Sequence, residues 1–190
     1  MMKDMKILLA ELDSILREKN PENYKKLQDP LPEKEVSERM KALGVEDQAF
    51  KDLFLWKNGV DISGGIDATD ELFVFGVLFS MEGVAEYAEF DPGSPFIPLI
   101  GDVTGDMLLF NNSRDGDRGK LHIYSVSLLS IDEPYTYFDS INTMAETTIR
   151  AYKEGALSID RRDGRLAVDT DRHRKIAAKM NPGSAFWKLK

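Results

Sequence analysis

The chain has 190 residues, 33 of them acidic and 25 basic, and no cysteine. Its length fits one domain with a core of its own. The missing thiols exclude disulfides, thiolate zinc sites and a cysteine nucleophile, and suit a reducing compartment.

The charge is uneven. Residues 160–190 carry a net +5, which leaves −13 on the remainder. An acidic body disfavours nucleic acid and favours basic partners. The opening MMKDMKILLA has an apolar run only from Ile7 to Ala10 before Glu11, so no signal peptide is expected. No run approaches the roughly 20 apolar residues of a membrane span. The expectation is a soluble, cytoplasmic protein with no membrane or nucleic-acid partner.

In chain order, Met5, Leu8, Leu12, Ile15 and Leu16 recur at helical spacing and predict a first helix that stops at Asn20-Pro21. Pro32 with Glu33 and Glu35 reads as the first turn of a second helix, with Val36, Met40 and Leu43 on its face and Gly44 at its end. EDQAFKDLFLWKNG gives a third, which turns Phe50, Leu53, Phe54 and Trp56 inward and ends at Asn58-Gly59. The pattern then shortens. Glu71–Ser80 is apolar and aromatic and predicts a strand. Ser80 is placed to cap a short helix, with Glu82 in its first turn and Gly83 as a weak point.

FIPLIGD and DMLLFNN predict two strands joined by a turn, and GKLHIYSVS another, with Leu121, Ile123 and Val126 apolar. SINTMAETTIRAYKEGAL is a further helix, faced by Ile141, Met144, Ile149 and Tyr152. The tail carries an Asp163-Gly164 turn and a short basic helix, Asp171 to Met180. Phe186 and Trp187 follow and are expected to dock on the body. Helices, then strands, then helices argue for a single α+β domain whose mostly antiparallel sheet is flanked by N- and C-terminal helices. The expected division is an N-terminal helix and linker over 1–30, the α+β domain over 31–157, and a basic extension over 158–190 packed on it.

Catalytic signatures are missing. His122 sits in a strand pattern and His173 in a basic helix, neither with a histidine partner at metal-ligand spacing. There is no G-x-S-x-G nucleophile turn, and GDVTGD fits neither the phosphate-loop nor the dinucleotide pattern. Asp102, Asp106, Asp115 and Asp117 lie close in sequence, but DVTGDMLLFNNS lacks the helical calcium-loop spacing. Aspartate in a turn also has a structural role, because its side chain accepts backbone hydrogen bonds. No metal, cofactor or enzymatic activity is expected.

The order of landmarks carries more. Leu31-Pro32 opens a helix, and FKDLFLWKNG ends in Trp56, Asn58 and Gly59. An apolar strand over Leu72–Phe79 runs into a helix, FIPLIGDVTGDMLLFN follows, and GKLHIY precedes a closing helix. Over about residues 30–155 this resembles the SUKH superfamily, the Smi/Knr group. That group holds fungal regulators of glucan synthesis and bacterial immunity proteins of toxin systems. The family's helix end matches at Leu53, Asn58 and Gly59, and its turn before an apolar strand matches at Pro98, Gly101, Asp102, Gly105 and Asp106. The resemblance does not extend to the first helix, the acidic insert from Asp61 to Glu71 or the tail. It implies an α+β protein-interaction fold with no catalysis.

Two functions follow from it. One is an immunity protein that neutralises a cognate toxin, its partner a basic toxin domain held by Asp61, Asp67, Asp70, Glu71, Asp102 and Asp106. The other is a regulator or scaffold with a peptide or small-molecule pocket, suggested by Phe50, Phe54, Trp56, Phe73 and Phe75.

Overall fold

A computed structural model describes residues 3–62, 64–67, 69–125 and 135–188. The elements are α1 (Met5–Lys19), α2 (Pro21–Tyr24), α3 (Glu33–Ala42), α4 (Gln48–Trp56), β1 (Val77–Leu78), α5 (Met81–Phe90), β2 (Phe96–Gly101), β3 (Met107–Asn111), β4 (Leu121–Tyr124), β5 (Tyr135–Phe138), α6 (Ile141–Lys153), β6 (Leu157–Ile159), β7 (Leu166–Val168) and α7 (Thr170–Met180). A 3₁₀ turn, Phe186–Lys188, ends the described chain. The architecture is the single α+β domain expected. Strands β1 to β5 form an antiparallel meander in chain order, and β6 and β7 pair as a separate hairpin.

The helices start where polar caps precede apolar spacing. Asp47 Oδ1 accepts from Phe50 N at 2.8 Å ahead of α4, and Ser80 Oγ accepts from Gly83 N ahead of α5. Ser140 and Thr143 form a reciprocal capping box on α6. One core joins all layers. Phe50, Phe54 and Phe110 are fully buried, with the Phe50 ring centroid 5.1 Å from Phe54 and 5.2 Å from Phe110. A buried phenylalanine of this kind stabilises by roughly 1.5–3 kcal/mol.

The aromatic run over Glu71–Ser80 is not one strand. Only Val77 and Leu78 form a ladder with β2, and Phe79 N adds one bond to Leu99 O. Upstream the chain turns on itself: Gly76 N donates to Phe73 O, and Leu72 N and Phe73 N both donate to Gly76 O. Gly76 has φ +106°, and a Cβ there would lie 2.1 Å from Gly101 O. One glycine therefore breaks a run that β-propensity alone extends. Pro21 likewise ends α1 but opens the one-turn α2. Strand β5 was not anticipated, because YTYF is short and hydroxyl-rich, while Val126, expected in a longer β4, lies outside the described residues.

The segments over 1–30 and 158–190 share the core with the segment between them. Leu8, Leu12 and Leu16 of α1 are fully buried, and α1 packs on α6. The tail is stitched to β5 and α6. Ser184 Oγ donates to Thr136 O at 2.7 Å, Asn181 Nδ2 to Thr147 Oγ1 at 3.1 Å, and Trp187 Nε1 to Tyr137 O at 2.7 Å. Among the described residues no helix is long and apolar enough to cross a membrane.

Candidate functional site

The turn carboxylates divide into those the fold uses and one it leaves alone. In the β2–β3 turn, Asp102 Oδ1 accepts from Thr104 N, Thr104 Oγ1 and Asp106 N at 2.8, 2.7 and 3.1 Å. Asp106 Oδ2 accepts from Ser125 Oγ at 2.8 Å. Gly105 sits at φ +86°. Gly101 is needed for a different reason: a Cβ there would meet the Phe79 ring at 2.4 Å. Pro98 lies inside β2 opposite Leu109, next to a register shift that ends before Ile100.

The insert shows the same economy. Asp67 Oδ1 accepts from both the backbone and the hydroxyl of Thr69, bonds that hold its carboxyl below the usual range. Asp70 caps Asp67 N and pairs with Lys26. Asp61 is exposed.

Glu71 differs. Its backbone is pinned, because its carbonyl accepts from Asn20 Nδ2 at 3.0 Å and Asn23 Nδ2 at 3.1 Å, and the next carbonyl, of Leu72, accepts from Tyr152 OH. Its side chain is partly buried and makes no hydrogen bond or ion pair among the described residues. Burial raises its pKa, the Asp102 carboxylate raises it further, and Arg165 opposes them. Arg165 also acts on Asp67 and is itself paired with Asp163 at 3.8 Å. The fold thus brings Asp67, Asp70, Glu71 and Asp102 to one end of the sheet, 35 positions apart at most in sequence. Lys26 and Arg165 at the same end were missed. Nothing local marks them, since α2 and β7 reach this end only through the tertiary fold.

The motif residues build the frame. Leu53 is fully buried in α4. Trp56 Nε1 donates to Asp13 Oδ1 at 2.9 Å. Asn58 is 4% exposed and spends its whole amide: Nδ2 donates to Gln28 Oε1 at 2.8 Å and Glu82 Oε2 at 3.2 Å, and Oδ1 accepts from Met81 N at 2.9 Å. Gly59 has φ +65°, and a Cβ there would lie 2.2 Å from Phe79 O. The Asn-Gly pair therefore ends one helix while starting another. Phe50, Phe54 and Phe73 are core, and Phe75 packs edge-on against Tyr137 at 4.9 Å.

A groove of about 470 Å³ runs between α3 and α5, lined by Arg39, Leu43, Ala85, Ala88 and Phe96. Arg39 is satisfied there by Glu35 and Glu82 at 2.8 and 2.7 Å. Phe90, at the end of α5, is 84% exposed. His122 is buried in β4 beside Asn111 and the Phe96 ring. His173, which the sequence places in a basic helix, is buried on the inner face of α7. Among the described residues no group of three or more carboxylates or imidazoles is placed to hold a metal ion.

No protein-family model matches the chain, and no curated protein is significantly similar to it.

Proposed function

We propose that this chain is a non-enzymatic protein-interaction domain of the SUKH type, an immunity protein that binds and neutralises a basic toxin domain in the cytoplasm. The observation that carries this reading is Glu71. A carboxylate held partly buried and unpaired next to Asp102 is electrostatically unfavourable in the free protein. A lysine or arginine from a partner relieves that cost and gains a charge-assisted hydrogen bond. Asp67 and Asp102 add negative field around it, which speeds encounter with a basic surface more than it adds affinity. The resemblance in the order of landmarks supports the same class.

The experiment is capture with the tagged chain from its native lysate at low and moderate salt, read by mass spectrometry. The expected result is one basic partner whose recovery falls as salt rises, encoded beside this chain and toxic when expressed without it. Failure to recover any partner at low salt, or recovery of a neutral partner indifferent to salt, overturns the reading.

A further inference from the structure

A second concave site lies where the tail packs against the domain. A cleft of about 320 Å³ opens between α7, β5 and the 3₁₀ turn, with Val74, Tyr137, His173, Phe186 and Trp187 among its walls. The rings form a continuous aromatic surface. Tyr137 lies 4.4 Å from Trp187 and 4.7 Å from Phe186, and His173 lies 5.5 Å from Trp187, centroid to centroid. The Trp187 indole N–H is bonded to Tyr137 O.

His173 keeps a buried nitrogen without a partner: the residue is 3% exposed, and its Nε2 is sealed from solvent with no hydrogen-bond partner among the described residues. Buried polar atoms are rarely left this way, and each instance calls for an explanation. Burial also pushes the imidazole down to about 4, so the ring is neutral at neutral pH. Asp171 and Arg174 stand at the mouth with opposite charges, both exposed, and give the entrance no net sign. An apolar cavity of about 150 Å³ suffices for benzene. This cleft therefore holds one substituted ring or two fused ones, and it falls in the size range of small-molecule sites. The groove between α3 and α5 is larger, but its partly buried Arg39 is already paired.

We propose that the cleft is a binding site for a small neutral aromatic alcohol, its ring packed against Tyr137, Phe186 and Trp187 and its hydroxyl bonded to the His173 imidazole. The aromatic walls supply the contact area, and the imidazole distinguishes an alcohol from a hydrocarbon of the same shape. Bonding requires that the sealed imidazole turn its Nε2 toward the ligand. A ligand here also bridges α7 and β5, so its binding tightens the attachment of the tail.

The test is calorimetric titration of the full chain with p-cresol and with p-xylene, which differ by a hydroxyl in place of a methyl. The expected result is saturable one-site binding of p-cresol, roughly five- to ten-fold tighter than p-xylene. His173→Phe keeps the ring shape and is expected to bring the two affinities within about two-fold. Val74→Trp fills the cleft and is expected to abolish both. In the unmodified protein, the ¹⁵N signal of His173 Nε2 is expected to move with p-cresol and stay with p-xylene, a readout that holds even if a variant misfolds. No saturable p-cresol binding, a preference that survives His173→Phe, or an unmoved His173 nitrogen overturns the proposal.

Discussion

Two carboxylates, Asp13 and Glu71, sit in comparable partly buried positions and are treated in opposite ways. Asp13 on α1 accepts from Tyr24 OH at 2.6 Å, Arg17 Nε at 2.7 Å and Trp56 Nε1 at 2.9 Å. Burial pushes its carboxyl up, but these three donors outweigh burial and hold it below the usual range. Glu71 receives no donor, and burial and Asp102 push it up unopposed except by Arg165. The first carboxylate ties α1, α2 and α4 together. The second contributes nothing to the fold through its side chain. Burial of a charge is therefore not in itself a sign of function; burial without a partner is what marks the candidate site.

The comparison breaks most severely if the frame behind Asp13 is disturbed. Gly59→Ala places a Cβ against the Phe79 carbonyl at a left-handed φ. The expected loss is about 3 kcal/mol or more in urea unfolding, or no folded protein at all. Asp13→Ala is next. It strands the Tyr24 hydroxyl and the Trp56 indole and is expected to cost about 1–3 kcal/mol by the same measurement.

The two carboxylates are also expected to bend the pH profile in opposite directions. The folded pKa of Asp13 is lowered, so its contribution is present above the unfolded value and is lost as pH falls through the folded one. Asp13→Asn should therefore flatten the acid limb of stability against pH. The folded pKa of Glu71 is raised, so its unfavourable term appears as pH rises through that value. The smallest effect follows from this: Glu71→Gln is expected to stabilise at neutral pH by under about 1 kcal/mol and to make no difference in acid. Stability curves at several pH values check both signs.

Much of the fold was legible because it rests on local chemistry. The apolar spacing of α1, α3, α4 and α6, the Ser80 cap and the β2–β3 turn are written in neighbouring residues. The turn role of Asp102 and Asp106 was readable for the same reason. What was not legible depends on distance along the chain. Gly76 breaks the apparent strand because it meets Gly101, and Glu71 differs from the other acids because it meets Asp102. The burial of His173 was hidden because α7 is basic on its outer face, while Ile176, Ala177 and Trp187 bury the inner one. The sequence offered six carboxylates with equal weight, and only the tertiary arrangement separates Glu71 from Asp67, Asp70, Asp102 and Asp106.

The most direct measurement is the affinity of the captured partner for the unmodified chain and for Glu71→Lys, taken at low and moderate salt. Glu71 makes no side-chain bond that the substitution removes, so the variant is expected to fold and to remove an unfavourable charge. If Glu71 receives a cation from the partner, the reversal is expected to cost about 2 kcal/mol or more, a loss of at least roughly thirty-fold. Equal affinity of the two forms at both salts would contradict the assignment of the acidic edge as the binding surface.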